Sequence, residues 1–141
     1  MNFERLTVKA GEAIQAAATA ARQAGNPSIE DLHLLAALLA QDEGIVVPVL
    51  QKVGVNVSRL RQEVEAATGR LPKQYGGSQP TISRELNAIL DRAEQEARDL
   101  KDEYVSTEHL LLALAQTKGS TTRDLLAAQG ADRDALLQAL Q

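Results

Sequence analysis

Displaced by 76 residues, the second half of the chain falls on the first without a gap. His33-Leu34-Leu35 meets His109-Leu110-Leu111, and Leu50, Gly54 and Leu60 meet Leu126, Gly130 and Leu136. Upstream the register holds, with Leu6, Ala10, Ile14, Ala17 and Ala21 opposite Ile82, Leu86, Leu90, Ala93 and Ala97. Each half is one copy of a common unit, and copies with the same buried faces must dock on one another. Two copies in 141 residues predict a compact pseudo-twofold module rather than an open solenoid.

Within the first copy, Leu6, Ala10, Ala13, Ile14, Ala17, Ala21 and Ala24 recur at steps of three and four, the spacing of one helix face. Gly25-Asn26-Pro27 stops that helix. Ser28 and Asp31 resemble a capping box opening a second helix through Leu39. A third helix falls within Ile45 to Val53, with Pro48 in its first turn and Gly54 as a left-handed cap, and a fourth runs from about Ser58 to Ala67. The second copy replays the plan over about Ser83–Lys101, Thr107–Gln116, Thr121–Gln129 and Asp132 to the end. Eight helices and no convincing strand make the expected fold all-α: two four-helix repeats, at about 3–67 and 81–141, within one domain, 1–141. Residues 68–80, holding two of the four prolines and three of the nine glycines, read as a linker, a plain tether more than a mobile loop beside a groove. The last turn stops in mid-pattern, so the chain is expected to continue in a longer protein.

Composition excludes several classes of function. A formal charge of -4 and only two tyrosines and one phenylalanine suit neither phosphate neutralisation nor base stacking, so no nucleic-acid partner is expected. Cysteine is absent, which removes disulfides and thiolate chemistry. Met1-Asn2-Phe3-Glu4-Arg5 lacks the basic-then-apolar order of a signal peptide, and the apolar run Leu34–Ala40 falls far short of the roughly 20 residues that span a bilayer. The expected location is the cytoplasm, with no membrane partner.

Motifs for chemistry are missing: no G-x-x-x-x-G-K-[ST] phosphate loop, no G-x-S-x-G elbow, no H-E-x-x-H pair. No catalytic or metal-ligating residue is assigned, and no cofactor is expected in this domain. His33 and His109 occupy the same place in both copies, at the start of the second helix, which points to a repeated capping task. Asp91, Glu94, Glu96, Asp99, Asp102 and Glu103, interleaved with Arg92, Arg98 and Lys101, read as a solvated helix face. Thr7 and Ser83 correspond, and each reads as a helix N-cap. A small helical enzyme using His33 or His109 is the competing class, and it would displace a binding role if His33→Ala and His109→Ala each abolished a turnover measured on the isolated chain.

With the copies, Leu6-Thr7, Leu32-His33-Leu34-Leu35, Gly69-Arg70-Leu71-Pro72 and Ser106-Thr107-Glu108-His109-Leu110-Leu111 in view, the chain resembles the amino-terminal domain of the Clp/Hsp100 AAA+ chaperones over essentially its whole length. Arg70-Leu71-Pro72, the Gly/Ser loop and Gln79-Pro80 resemble the ClpB disaggregases more than ClpA or ClpC. The resemblance implies a domain that recruits unfolded or aggregated polypeptides for AAA+ modules of the same chain. The full-length protein would be a homohexamer using ATP and Mg, cooperating with an Hsp70 system. It also implies a polypeptide-binding role for Thr7, Asp102 and Glu108, and an apolar groove between the copies. Leu90, Ala93 and Leu110 are candidates for that groove, although helical spacing suits a groove wall and an interior equally. The alternative within the family is an adaptor-docking domain of a protease-linked ClpA/ClpC-type unfoldase. The ClpC pattern for phosphoarginine has an acid before the histidine in both copies; here Leu32 stands in the first and Glu108 in the second, against that ligand.

Overall fold

A computed structural model describes residues 2–74, 76 and 79–141. After a 3-10 turn at Phe3–Arg5 come α1 (Val8–Gln23), β1 (Ser28–Ile29), α2 (Asp31–Ala40), α3 (Val46–Val53) and α4 (Val57–Gly69). The second copy follows as β2 (Thr81–Ile82), α5 (Arg84–Asp99), α6 (Thr107–Gln116), α7 (Thr121–Ala128) and α8 (Arg133–Leu140). The expected all-α architecture of eight helices stands. Among the described residues no helix is long and apolar enough to cross a membrane.

Each long helix is opened by a hydroxyl and closed by a left-handed residue. Thr7 and Ser83 accept the amides of Ala10 and Leu86 at 3.2 and 3.0 Å, the capping expected of them. At the far ends, Asn26 N–H donates to Ala21 and Gly25 N–H to Arg22, and Asp102 and Lys101 repeat the pattern onto Ala97 and Arg98. This is the Schellman arrangement, with Gly25 at φ 74° and Lys101 at φ 61° in its left-handed position. It ends the fifth helix at Asp99, two residues before the expected Lys101. Pro48 lies in the first turn of α3 and Gly54 closes that helix at φ 106°, as expected.

The pseudo-twofold relation is built into the contacts. α1 packs on α2 as α5 packs on α6, and α3 lies on α8 as α7 lies on α4, so each copy completes the other's core. That core is largely aliphatic, with Leu34, Leu35, Leu50, Leu60, Leu110 and Leu111 among its buried side chains.

Two short pairings, unexpected from the sequence, stitch the copies. β1 runs parallel to β2 with Ile29 opposite Ile82, and Leu6 forms the corresponding bridge with Val105. The bonds correspond too: Ser83 N–H to Ile29 and Thr7 N–H to Val105, both 3.0 Å. Two residues are too few to show alternation, so these strands leave no periodic mark in the sequence.

Two expectations are corrected. Ser28 and Asp31 do not form the capping box: Ser28 sits in β1, and Asp31 turns to α7, where Oδ2 accepts Thr122 N–H and Oγ1–H at 3.0 Å each. Glu30 is the N-cap residue, and His33 completes the turn. Nor does Glu96 belong to a solvated face. It is 0 % exposed and joins three helices: Oε1 accepts Arg133 Nε at 2.8 Å and Gln116 Nε2 at 2.8 Å, and Arg92 reaches it at 3.2 Å. Burial pushes this carboxyl's pKa up, but hydrogen bonds from Arg133, Gln116 and Arg92, with the Arg133 charge, outweigh it and hold the pKa below the ordinary value.

The linker is pinned where it starts. Asn26 Nδ2 donates to the Pro72 carbonyl at 2.9 Å, and Gln74 N–H to Gly25 at 2.7 Å. Tyr75, Gly77 and Ser78, included in the tether expected at 68–80, lie outside the described residues.

Candidate functional site: the corner at Asp102 and the groove on the seam

Both copies turn from their long helix into the next through one histidine. The Schellman turn aims residue 26 or 102 back at the ring seven positions on. In the first copy Glu30 N–H donates to His33 Nδ1 at 2.8 Å, and Nε2 faces Asn26 Oδ1 at 2.9 Å. In the second, Ser106 N–H donates to His109 Nδ1 at 2.8 Å and Nε2 faces Asp102 Oδ2 at 2.7 Å. Since Nδ1 accepts, the proton is assigned to Nε2, which donates onward. His33 and His109 are thus helix-start caps. Burial lowers the pKa of His33, the nearby Asp31 charge opposing it.

The second corner differs by its charge. Asp102 is exposed, with its carboxylate on His109. Glu108 is half-buried, its Oε1 accepting Ser106 Oγ–H at 2.9 Å. Thr7 is tied to the same corner by the Leu6–Val105 bridge, and Arg5 Nη1 donates to the Glu103 carbonyl at 3.1 Å. Ligand atoms of Asp102, Glu108 and His109 lie within 4.8 Å of one another. A cation placed among them would have to strip Nε2 of the proton that holds Asp102, because Nδ1 is spent on the helix start.

The seam carries an apolar groove. α1 and α5 flank it and β1 and β2 contribute to it, giving a hollow of about 120 Å³ lined by Ile14, Ala18, Ile29, Ile82, Leu86 and Leu90. Ile14 and Leu90 are counterparts in the 76-residue register, whereas Ile29 and Ile82 line the groove without their counterparts Val105 and Leu6, so the groove lies on the seam with unequal walls. Ile82 is 39 % exposed, an isoleucine held open to solvent. Of the three apolar candidates, Leu90 lies at this groove as a buried residue, whereas Ala93 and Leu110 are 0 % exposed and sealed in the core. The structure therefore brings Asp102, Glu108 and the Thr7 backbone to one corner and Leu90 to the groove.

Sequence reasoning missed Ile82, Ile14 and Asn26 as members of these places. For Asn26 the signal was present, since the register sets it opposite Asp102. For Ile82, the Thr-Ile-Ser context before a long helix marked a helix entry and gave no hint of a paired, half-open strand.

Residues 5–129 match the family described as the Clp repeat (R) N-terminal domain. The chain is 46 % identical over 134 residues to chaperone protein ClpB of Mycobacterium tuberculosis (strain ATCC 25618 / H37Rv), covering 94 % of this chain and 16 % of that protein. With ClpB of Rhodopirellula baltica the identity is 38 % over 138 residues, covering 98 % and 16 %. The chain thus spans about one sixth of the length of these curated relatives.

Among solved structures, the Hsp104 N-terminal domain from Candida albicans superposes with a TM-score of 0.84 at 23 % identity, covering 96 % of this chain and 89 % of that one. The ClpV N-domain in complex with a VipB peptide gives 0.79 at 20 %, covering 94 % and 82 %. These two show likeness of fold. Taken with the doubled four-helix unit and its paired histidine corners, the match over 5–129 shows that the chain belongs to the Clp repeat N-terminal domain family.

Proposed function

We propose that the chain recruits unfolded or aggregated polypeptide for a ClpB-type disaggregase, whose ATP- and Mg-dependent AAA+ modules would lie in the rest of a longer, hexameric protein working with an Hsp70 system. The observation that carries this reading is the open apolar groove on the seam, with Ile82 exposed at it. A few buried side chains at about 25 cal/mol per Å² give weak, sequence-tolerant capture. Clients of a disaggregase share exposed apolar segments and little else, and weak capture allows onward transfer. The ClpV N-domain, solved with a peptide, supports peptide binding by this fold.

In this reading Thr7, Asp102 and Glu108 orient the captured segment beside the groove: the acids meet cationic or amide groups, and Thr7 offers a hydroxyl at the same corner. Asp102→Asn recreates the first copy's Asn26 geometry, so it preserves the His109 cap and removes only charge. Anisotropy of a fluorescein-labelled, reduced and carboxymethylated α-lactalbumin tests the scheme. Ile82→Asp is expected to weaken binding about tenfold or more with helical content unchanged. Asp102→Asn, Glu108→Gln and Thr7→Ser are expected to weaken it by smaller factors. Undiminished binding by Ile82→Asp rejects the groove, and undiminished binding by all three others removes the corner from the site.

A further inference from the structure

A second hollow lies between the end of α1, the C-terminal half of α2 and the C-terminal half of α4, with Lys73 of the linker at its edge. Its volume is about 380 Å³, and Ala24, Ala36, Leu39, Ala40, Val64 and Gly69 line it. It shares no lining residue with the seam groove. Arg61 and Lys73 stand at it against one acid, Glu65, all three exposed.

The second copy carries larger side chains at several of the equivalent positions. Ala24, Ala36 and Ala40 correspond to Leu100, Leu112 and Gln116, and Ala20 to Glu96. Leu112 is fully buried, and Gln116 reaches Glu96, which Arg133 of α8 also holds. There a buried leucine and a polar clamp occupy two of these positions, and the hollow that remains beside Gln116 and Arg133, about 230 Å³, is smaller. The first copy has alanine at each of these four positions, while Leu39 stands where the second copy has Ala115. A cleft between packed helices that is short of leucine-sized side chains forfeits dispersion contacts that an incoming side chain restores. Alanines also let a third helix approach to the usual interaxial distance of about 8–10 Å.

We propose that this cleft docks an amphipathic helix of a separate protein, with leucine-like side chains at i and i+4 set between α2 and α4 and a carboxylate on Arg61 and Lys73. A helix is favoured over an extended segment because the walls are helical and offer no strand edge to extend. The sign of the flanking charge follows from two cations against one acid. Arg61 spends Nη2 on the Leu39 carbonyl at 2.8 Å, and a guanidinium carries five donors, so it can meet a carboxylate while remaining tied to α2. Such a partner is folded and specific, and its docking is independent of polypeptide capture at the seam.

The test is amide chemical-shift mapping on the ¹⁵N-labelled 141-residue chain. Its probes are an alanine-based helical peptide with leucines at i, i+4 and i+7 flanked by glutamates, and the same peptide with lysines replacing the glutamates. The expected result is shifts at Ala36, Ala40, Val64 and Gly69, with the lysine peptide about tenfold weaker. Ala40→Leu, which imitates a filled cleft, is expected to lower affinity about tenfold. Lys73→Glu, at an exposed position, is expected to reduce or reverse the preference for the acidic peptide and to leave unfolded-polypeptide binding intact. Shifts at Ile14 and Ile82 instead, equal affinity for both peptides, or concentration-dependent shifts at Ala36 and Ala40 without peptide, which would mean that a second copy covers the cleft, each overturn the proposal.

Discussion

Lys101 holds the left-handed position that Gly25 fills in the first copy, at φ 61° against 74°. A side chain there costs about 1–2 kcal/mol, partly offset by the larger chain entropy that glycine loses on folding. Lys101→Gly is expected to stabilise the fold by about 0.5 kcal/mol, read as a higher urea midpoint with an unchanged slope. Gly25→Ala is expected to destabilise it, because a Cβ adds the same strain and approaches the Gln74 carbonyl oxygen at 3.3 Å. His33 makes stability depend on pH, because burial lowers its pKa from the ordinary 6.5. Below that value the unfolded chain takes up a proton that the folded chain resists, so stability present at neutral pH is lost as pH falls. Urea midpoints at pH 7 and pH 5.5 should show the loss, and a His33→Gln variant should show less of it. Sequence made the cap roles of both histidines legible because they recur in register. It did not show the residues each ring pairs with, since Asn26 and Asp102 reach them only through the Schellman turn.

Among the helices, Glu96 marks where pattern reading fails. On α5 it sits among Asp91, Arg92, Glu94, Arg98 and Asp99, and spacing alone cannot separate a carboxylate facing water from one facing Arg133 across the core edge. Leu90, Ala93 and Leu110 show the same limit from the apolar side: one sits at the groove and two are sealed in the core. Helix existence was legible because alanine and leucine faces persist over many residues, whereas β1 and β2, at two residues each, had no pattern to read. Glu96→Ala is expected to cost about 2–3 kcal/mol by thermal or urea unfolding. That is less than for a fully buried pair, because the Arg133 side chain, 31 % exposed, still reaches water. Glu96 lies below its ordinary value of 4.5, so its contribution is complete above that pH and disappears as pH falls through the lower folded value. A Glu96→Gln variant should therefore be less stable at pH 7 and show a shallower loss of stability in acid.

For the molecule as a whole, the copies are interleaved rather than set side by side. α3 rests on α8, α4 on α7, and each copy lends a short extended segment to the other through Ile29–Ile82 and Leu6–Val105. Fragments 1–74 and 79–141, expressed separately, are expected to show little helical signal alone and to regain it when mixed, by circular dichroism and native mass spectrometry. Full helicity in either fragment alone would mean that a copy folds without its twin. The unequal walls of the seam groove have a directional corollary. Ile14 and Leu90 are its one pair of counterparts, so an extended segment laid across the seam would meet different walls according to which of its termini enters first. Discrimination of polarity would then fall to the places where the symmetry fails, such as Ala18 opposite Glu94 and Asn26 opposite Asp102.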